Sequence, residues 1–78
     1  MTASDATCYY LNTSAPGAEP LRYLSLVGAM SAMSALIQLQ RERGFSMRRQ
    51  PDGKRICQHP DGRIVQLWVQ DDRGDVVS

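Results

Sequence analysis

The hydrophobic pattern of this chain changes period once. Over residues 19–44 apolar side chains recur every three or four positions, and after Gly44 they recur every second position. The first spacing predicts one long helix and the second predicts antiparallel strands. Pro20 suits a first helical position, where a missing N–H goes unused. Glu19 would lie beside the positive end of the helix dipole, and Arg41 and Arg43 near its negative end. Gly44 fits the left-handed residue just past a helix C-terminus. Within this helix Tyr23, Leu26, Met30, Met33 and Ile37 form one apolar stripe, and Leu24, Gly28, Ala32, Ala35 and Leu39 form a second with smaller side chains. Ser31, Ser34 and Gln38 lie between them. One sheet covers only one stripe. The second is therefore expected to meet a second copy of the chain, another protein or the N-terminal arm folded back over it. Its small residues allow close helix–helix approach, which makes it a candidate homodimer seam.

After Gly44, Phe45, Met47 and Arg49 alternate with Ser46, Arg48 and Gln50. Pro51-Asp52-Gly53 is a turn in which Pro presets φ and Gly accepts φ > 0. Residues 54–58 place Ile56 on one face and Arg55 and Cys57 on the other. His59-Pro60-Asp61-Gly62 is a second turn of the same kind. Residues 63–70 put Val65, Leu67 and Val69 on one face and Ile64, Gln66, Trp68 and Gln70 on the other. Val65, Leu67 and Val69 are apolar throughout and are placed against the helix, leaving Trp68 outward. The reverse assignment, with Trp68 in the core, stays open. Ahead of the helix, residues 7–11 are rich in β-favouring side chains and predict a first strand, with residues 12–18 as a loop. Residues 1–6 and 71–78 read as flexible ends. The expected fold class is α+β: a single domain of residues 1–78, with one long helix packed on an antiparallel sheet of three to four strands in the order β-α-β-β-β.

A chain of 78 residues buries only ~60% of its unfolded surface, so a partner surface would help to stabilise it. The net charge is +1, but residues 41–63 hold seven basic side chains against three acids, and residues 64–78 hold one against three. The strands after the helix therefore carry a local positive excess suited to nucleic acid or to an acidic protein surface. The two cysteines, Cys8 and Cys57, do not make a disulfide framework, and no secretory leader precedes them. Both are read as reduced, in a cytoplasmic protein. The uncharged run over residues 23–40 has the length of a membrane span, but its serines and glutamines argue against one.

Catalytic signals are weak. One His and two Cys far apart do not make a zinc site, and no glycine-rich phosphate loop opens a helix. His59 opens a turn and would act as a general base only beside a substrate pocket. No catalytic residue, metal or cofactor is assigned. Arg73-Gly74-Asp75 spells an adhesion tripeptide, which without a secretion signal reads as coincidence.

Gly44-Phe45, Arg49 and the run Gln58-His59-Pro60-Asp61-Gly62-Arg63 with its following strand resemble the core of HicA-family toxins. The likeness spans residues 44–69. It implies a helix-plus-meander geometry like that of a double-stranded-RNA-binding domain, in a family of small endoribonucleases. The family's catalytic His falls at Lys54, a poor acid–base near neutrality with a reference pKa of about 10.4. The family's Gly-Ser pair falls on Asp52 and Gly53, and no room follows Gln70 for its C-terminal helix. The overall build is also similar to that of small phage and mobile-element inhibitors such as anti-CRISPR proteins.

The expected function is therefore that of a small non-catalytic binding protein. Arg48, Arg49, Lys54, Arg55, Arg63 and Trp68 are the candidate partner-binding residues, docking onto a nucleic-acid-handling protein complex and occluding it. The alternative is an RNA- or DNA-binding module of toxin–antitoxin type that lacks the usual catalytic His. Against that alternative, the linear sequence does not interleave aromatic and basic residues as single-strand binders do.

Overall fold

A computed structural model of the chain describes residues 8–77. Its elements are β1 (Tyr9–Thr13), β2 (Leu21–Tyr23), α1 (Leu26–Glu42), β3 (Ser46–Arg49), β4 (Arg55–Gln58), β5 (Ile64–Asp71) and β6 (Val76–Val77). The architecture is α+β, with one helix on an antiparallel sheet. The sheet has six strands instead of three to four, and the chain order is β-β-α-β-β-β-β.

The helix starts later than its periodicity suggests. Leu21–Tyr23 pairs with β1, with Leu11 opposite Leu21 and Tyr9 opposite Tyr23. Pro20 thus precedes an edge strand and does not open a helix. Leu21 and Tyr23 satisfy a period of two as well as a period of 3.6, so the pattern could not separate them. The true N-cap is Ser25, which is extended (φ −140°, ψ 151°) and whose Oγ accepts the Gly28 N–H at 3.0 Å. The C-terminal stop is where Gly44 places it. Gly44 adopts φ +95°, its N–H donates to the Arg41 carbonyl at 3.0 Å, and the Phe45 N–H donates to the Gln40 carbonyl at 2.9 Å. These two bonds form a Schellman closure, and it delivers Phe45 into the core.

The sheet order is β2-β1-β5-β4-β3, with β6 also on β5. Leu67 pairs with Thr13 of β1 and Arg55 of β4, and Val69 pairs with Leu11 of β1 and Val77 of β6. The edge of β5 opposite β1 is therefore shared, its first half by β4 and its second half by β6. The stretch expected as a solvated C-terminal tail instead contributes the end of β5 and all of β6. Arg73-Gly74-Asp75 lies in the turn between them, where Asp71 Oδ1 accepts the Arg73 and Asp75 N–H groups.

One layer of core lies between α1 and the inner sheet face. It comprises Leu11, Ala29, Met33, Ile37, Phe45, Cys57, Leu67 and Val69. Val65, Leu67 and Val69 do face the helix, as their alternation implies. Burial raises the Cys57 thiol pKa, and Cys8 is half-buried. The first strand runs two residues later than expected, over Tyr9–Thr13; Thr7 and residues 1–6 lie outside the described part.

The helix meets the sheet along Ala29, Met33 and Ile37, a row with steps of four, flanked by Met30, Ala32 and Leu36. Ala29 is fully buried and belongs to neither stripe read from the sequence. The candidate dimer seam does not form one outward stripe. Leu24 precedes the helix and is 76% exposed. Gly28 and Ala32 are half-buried, Ala32 against the core, and only Ala35 and Leu39 face outward. Leu24 left the stripe because residues 19–25 are not helical, and Gly28 and Ala32 left it because they flank the buried Ala29 and Met33. No helix among the described residues is long and apolar enough to cross a membrane.

Two consequences can be measured by urea denaturation. Met33→Ala is expected to lower stability by about 2–5 kcal/mol, the range for emptying a buried Met site, while Leu24→Ala stays within about 0.5 kcal/mol. Gly44→Ala is expected to cost more than about 1 kcal/mol, because φ is positive there and the added Cβ would lie 3.3 Å from His59 Nε2.

Candidate nucleic-acid interface

Because β5 alternates and its Val65-Leu67-Val69 row is buried, Trp68 must stand on the opposite face of the sheet. No helix covers that face among the described residues. Trp68 Nε1 donates to Gln70 Oε1 at 3.2 Å, which fixes the indole along its own strand. Lys54 Nζ lies 4.6 Å from the indole centroid, a cation–π contact. Pairing places Arg48 on this same face through Ile56 and Gln66. The other edge adds Tyr10, opposite Gln70, and Arg22, opposite Tyr10. No outward position of the five main strands holds an Asp or Glu.

The six residues expected to bind a partner therefore do not form one patch. Arg48, Lys54 and Trp68 share the outer face. Arg49 and Arg55 are a cross-strand pair on the helix side. There Arg55 Nη1 donates to the Gly53 carbonyl, and burial, then the nearby Arg49 charge, lowers the Arg55 pKa. Arg55 and Arg41 border a groove between α1 and β3 floored by Met30, Met33 and Met47. Arg63 lies at the far end of the sheet, in the second turn. The sequence was misleading because residues adjacent in a strand point to opposite faces, so a run such as Arg48-Arg49 or Lys54-Arg55 splits. Tyr10, Arg22 and Gln70 were not singled out. Tyr10 could have been placed outward by alternation, but its neighbours depend on the β1–β5 pairing, and Arg22 was hidden within the supposed helix.

The second turn forms a separate polar cluster. His59 Nδ1 lies 3.0 Å from Asp61 Oδ1 and 3.2 Å from the Asp61 backbone N. Asp61 also accepts the Arg63 backbone N–H at 2.9 Å and the Arg63 Nε–H at 2.7 Å. The Arg63 guanidinium lies 5.5 Å over the Phe45 ring, and the imidazole packs against the same ring at 5.1 Å between centroids. The Arg63 backbone N–H is the main cause holding the Asp61 carboxyl below its usual range, with His59 and the Arg63 side chain adding to it. A shallow hollow beside His59 is bordered by Gly44, Ser46, Gln58 and Pro60. Every polar group of His59–Arg63 just described serves the turn or its clasp on the helix end. Among the described residues no three His, Cys, Asp or Glu side chains come together as metal ligands.

Comparison with protein-family models, with curated proteins and with solved structures finds no match for this chain.

The Asp61 clasp has a pH signature. Its folded pKa is depressed, so its stabilisation is fully present above the unfolded carboxylate value of about 3.9 and is lost as pH falls through the lower folded value. Urea midpoints of the parent protein and Asp61→Asn should differ at pH 6, with the variant lower, and converge as the pH is taken below 3.9.

Proposed function

We propose that the protein is a non-catalytic nucleic-acid-binding module whose working surface is the uncovered sheet face. The observation that supports this best is the composition of that face. It carries Arg22, Arg48 and Lys54 with no acid at the outward strand positions, and Lys54 is held over Trp68. Phosphate contacts dominate nucleic-acid affinity and need cations aimed outward from a surface without competing carboxylates. The reading does not extend to cleavage. Lys54 stands where the HicA-like pattern has its catalytic His, and here it has a different occupation, against the indole.

A second reading, occlusion of a nucleic-acid-handling protein complex by a phage or mobile-element inhibitor, has its own observation. Leu21, Leu24, Leu26 and Val27 are exposed together where β2 runs into α1, and Val27 is 77% exposed. Such a patch suits a protein contact, and the two surfaces lie on different parts of the molecule.

A salt-titrated gel shift with a mixed-sequence oligonucleotide tests the first reading. Three phosphate contacts predict a log–log salt slope of about −2 for a single strand. Arg48→Ala with Lys54→Ala should flatten that slope and weaken binding, whereas Arg63→Ala should leave both unchanged. Absence of any shift at low salt would overturn the nucleic-acid reading and leave the Leu24–Val27 patch as the surface to pursue.

A further inference from the structure

We propose that Tyr10 and Trp68 form a stacking platform for consecutive bases of a single-stranded nucleic acid laid across the outer sheet face. This deepens the nucleic-acid-binding reading and rests on it.

Tyr10 lies opposite Gln70 and Trp68 opposite Asn12, so the two aromatics are diagonal neighbours on the two adjacent central strands. Diagonal neighbours on one sheet face are about 7–8 Å apart at the backbone, within reach of aromatic side chains. The Trp68–Gln70 hydrogen bond tethers the indole on the Tyr10 side of its own position. Aromatics on the adjacent middle strands of an open sheet are the arrangement by which sheet surfaces hold two or three splayed bases.

The flanking charges define a track. Arg22 lies on the outermost strand beyond Tyr10, and Arg48 on the outermost strand at the other side. Four strand spacings of ~4.8 Å, or ~19 Å, separate them across the sheet, and the offset from Gln70 to Gln66 separates them further along it. Lys54 sits between, at Trp68. Asp52 is the acid nearest Lys54, its Oδ1 accepting the Lys54 backbone N–H at 3.0 Å; Glu19 borders the hollow beside Tyr10, and Asp72 and Asp75 lie in the β5–β6 turn. A backbone running from Arg22 past Lys54 to Arg48 leaves the β5–β6 turn to one side. Beside Tyr10, Gln70, Pro20 and Glu19 border an open hollow of about 470 Å³. A base stacked on Tyr10 would present its edge to the Gln70 amide and the Glu19 carboxylate, both able to hydrogen-bond base edges.

The same geometry disfavours duplexes. Paired bases already stack on each other and offer no free ring face, so a platform built from ring faces selects unpaired strands. In the unliganded protein Lys54 covers the indole. An incoming base displaces the ammonium, which is then placed for the adjoining phosphate.

The test uses the full chain with end-labelled eight-nucleotide oligo(dT) and oligo(U), and a hairpin duplex of equal charge, followed by anisotropy. Trp68 is the only tryptophan, so its emission reports stacking directly. The expected result is binding of at least one single strand about 10-fold or more tighter than the duplex, with quenched indole emission. Tyr10→Ala and Trp68→Ala should each weaken it by about 10-fold at an unchanged salt slope, and Trp68→Phe should retain most of the affinity. Urea midpoints show whether each variant is folded, and Trp68→Phe with Tyr10→Phe serves if an alanine variant is not. Equal affinity for duplex and single strand, or unaltered affinity in the folded aromatic variants, would overturn the stacking platform while nucleic-acid binding stands. No binding of any of the three probes would overturn both.

Discussion

Leu67 and Val69 are buried between the sheet and the one helix of the described residues, which also touches both edge strands, β2 and β3. Nearly every other feature depends on that packing. One helix fills one sheet face and no more, so the Ala29-Met33-Ile37 row and the inward row of β5 define the core, and the alternate residues of β5 are left on an uncovered face. The position of Trp68 is a consequence of where Leu67 and Val69 have to be.

The helix C-terminus and the second turn are held as one unit. The Schellman closure at Gly44 turns the chain so that Phe45 enters the core, and both the His59 ring and the Arg63 guanidinium pack against the Phe45 ring. Asp61 fixes both partners. A His–Asp pair at a surface hollow has the ingredients of acid–base chemistry, but here both groups are engaged in holding a turn, and their contacts account for their presence. By contrast, the Lys54–Trp68 contact holds no turn or core element together. It covers an indole that the fold leaves outward, and that makes it the more informative feature for function.

The surfaces divide the molecule by chemistry. The outer sheet face is aromatic, amide-rich and cationic. The β2–α1 junction is apolar and exposed. The groove between α1 and β3 is lined with methionine and bordered by Arg41 and Arg55. Arg48, Arg49, Lys54, Arg55 and Arg63 all follow the helix, yet strand alternation distributes them among two faces and a turn. A positive excess counted along the chain is therefore an upper bound on the charge any one surface presents.

The linear sequence by itself determined β3, β4 and β5, both Pro-Asp-Gly turns, the Gly44 stop and the inward placement of Val65, Leu67 and Val69. Each of these depends on local chemistry: φ > 0 at glycine, φ preset by proline, or an apolar alternation too regular to face water. Tertiary structure decided the rest. Leu21–Tyr23 fits two periods and became a strand only because β1 was available to pair with it. Val76–Val77 is too short to be read as a strand without the free half-edge of β5. Tyr10 and Trp68, fifty-eight positions apart in sequence, become neighbours only through the β1–β5 register. The aromatic and basic interleaving missing from the chain as written is assembled across strands, because hydrogen-bonded pairing brings together residues that no local rule relates.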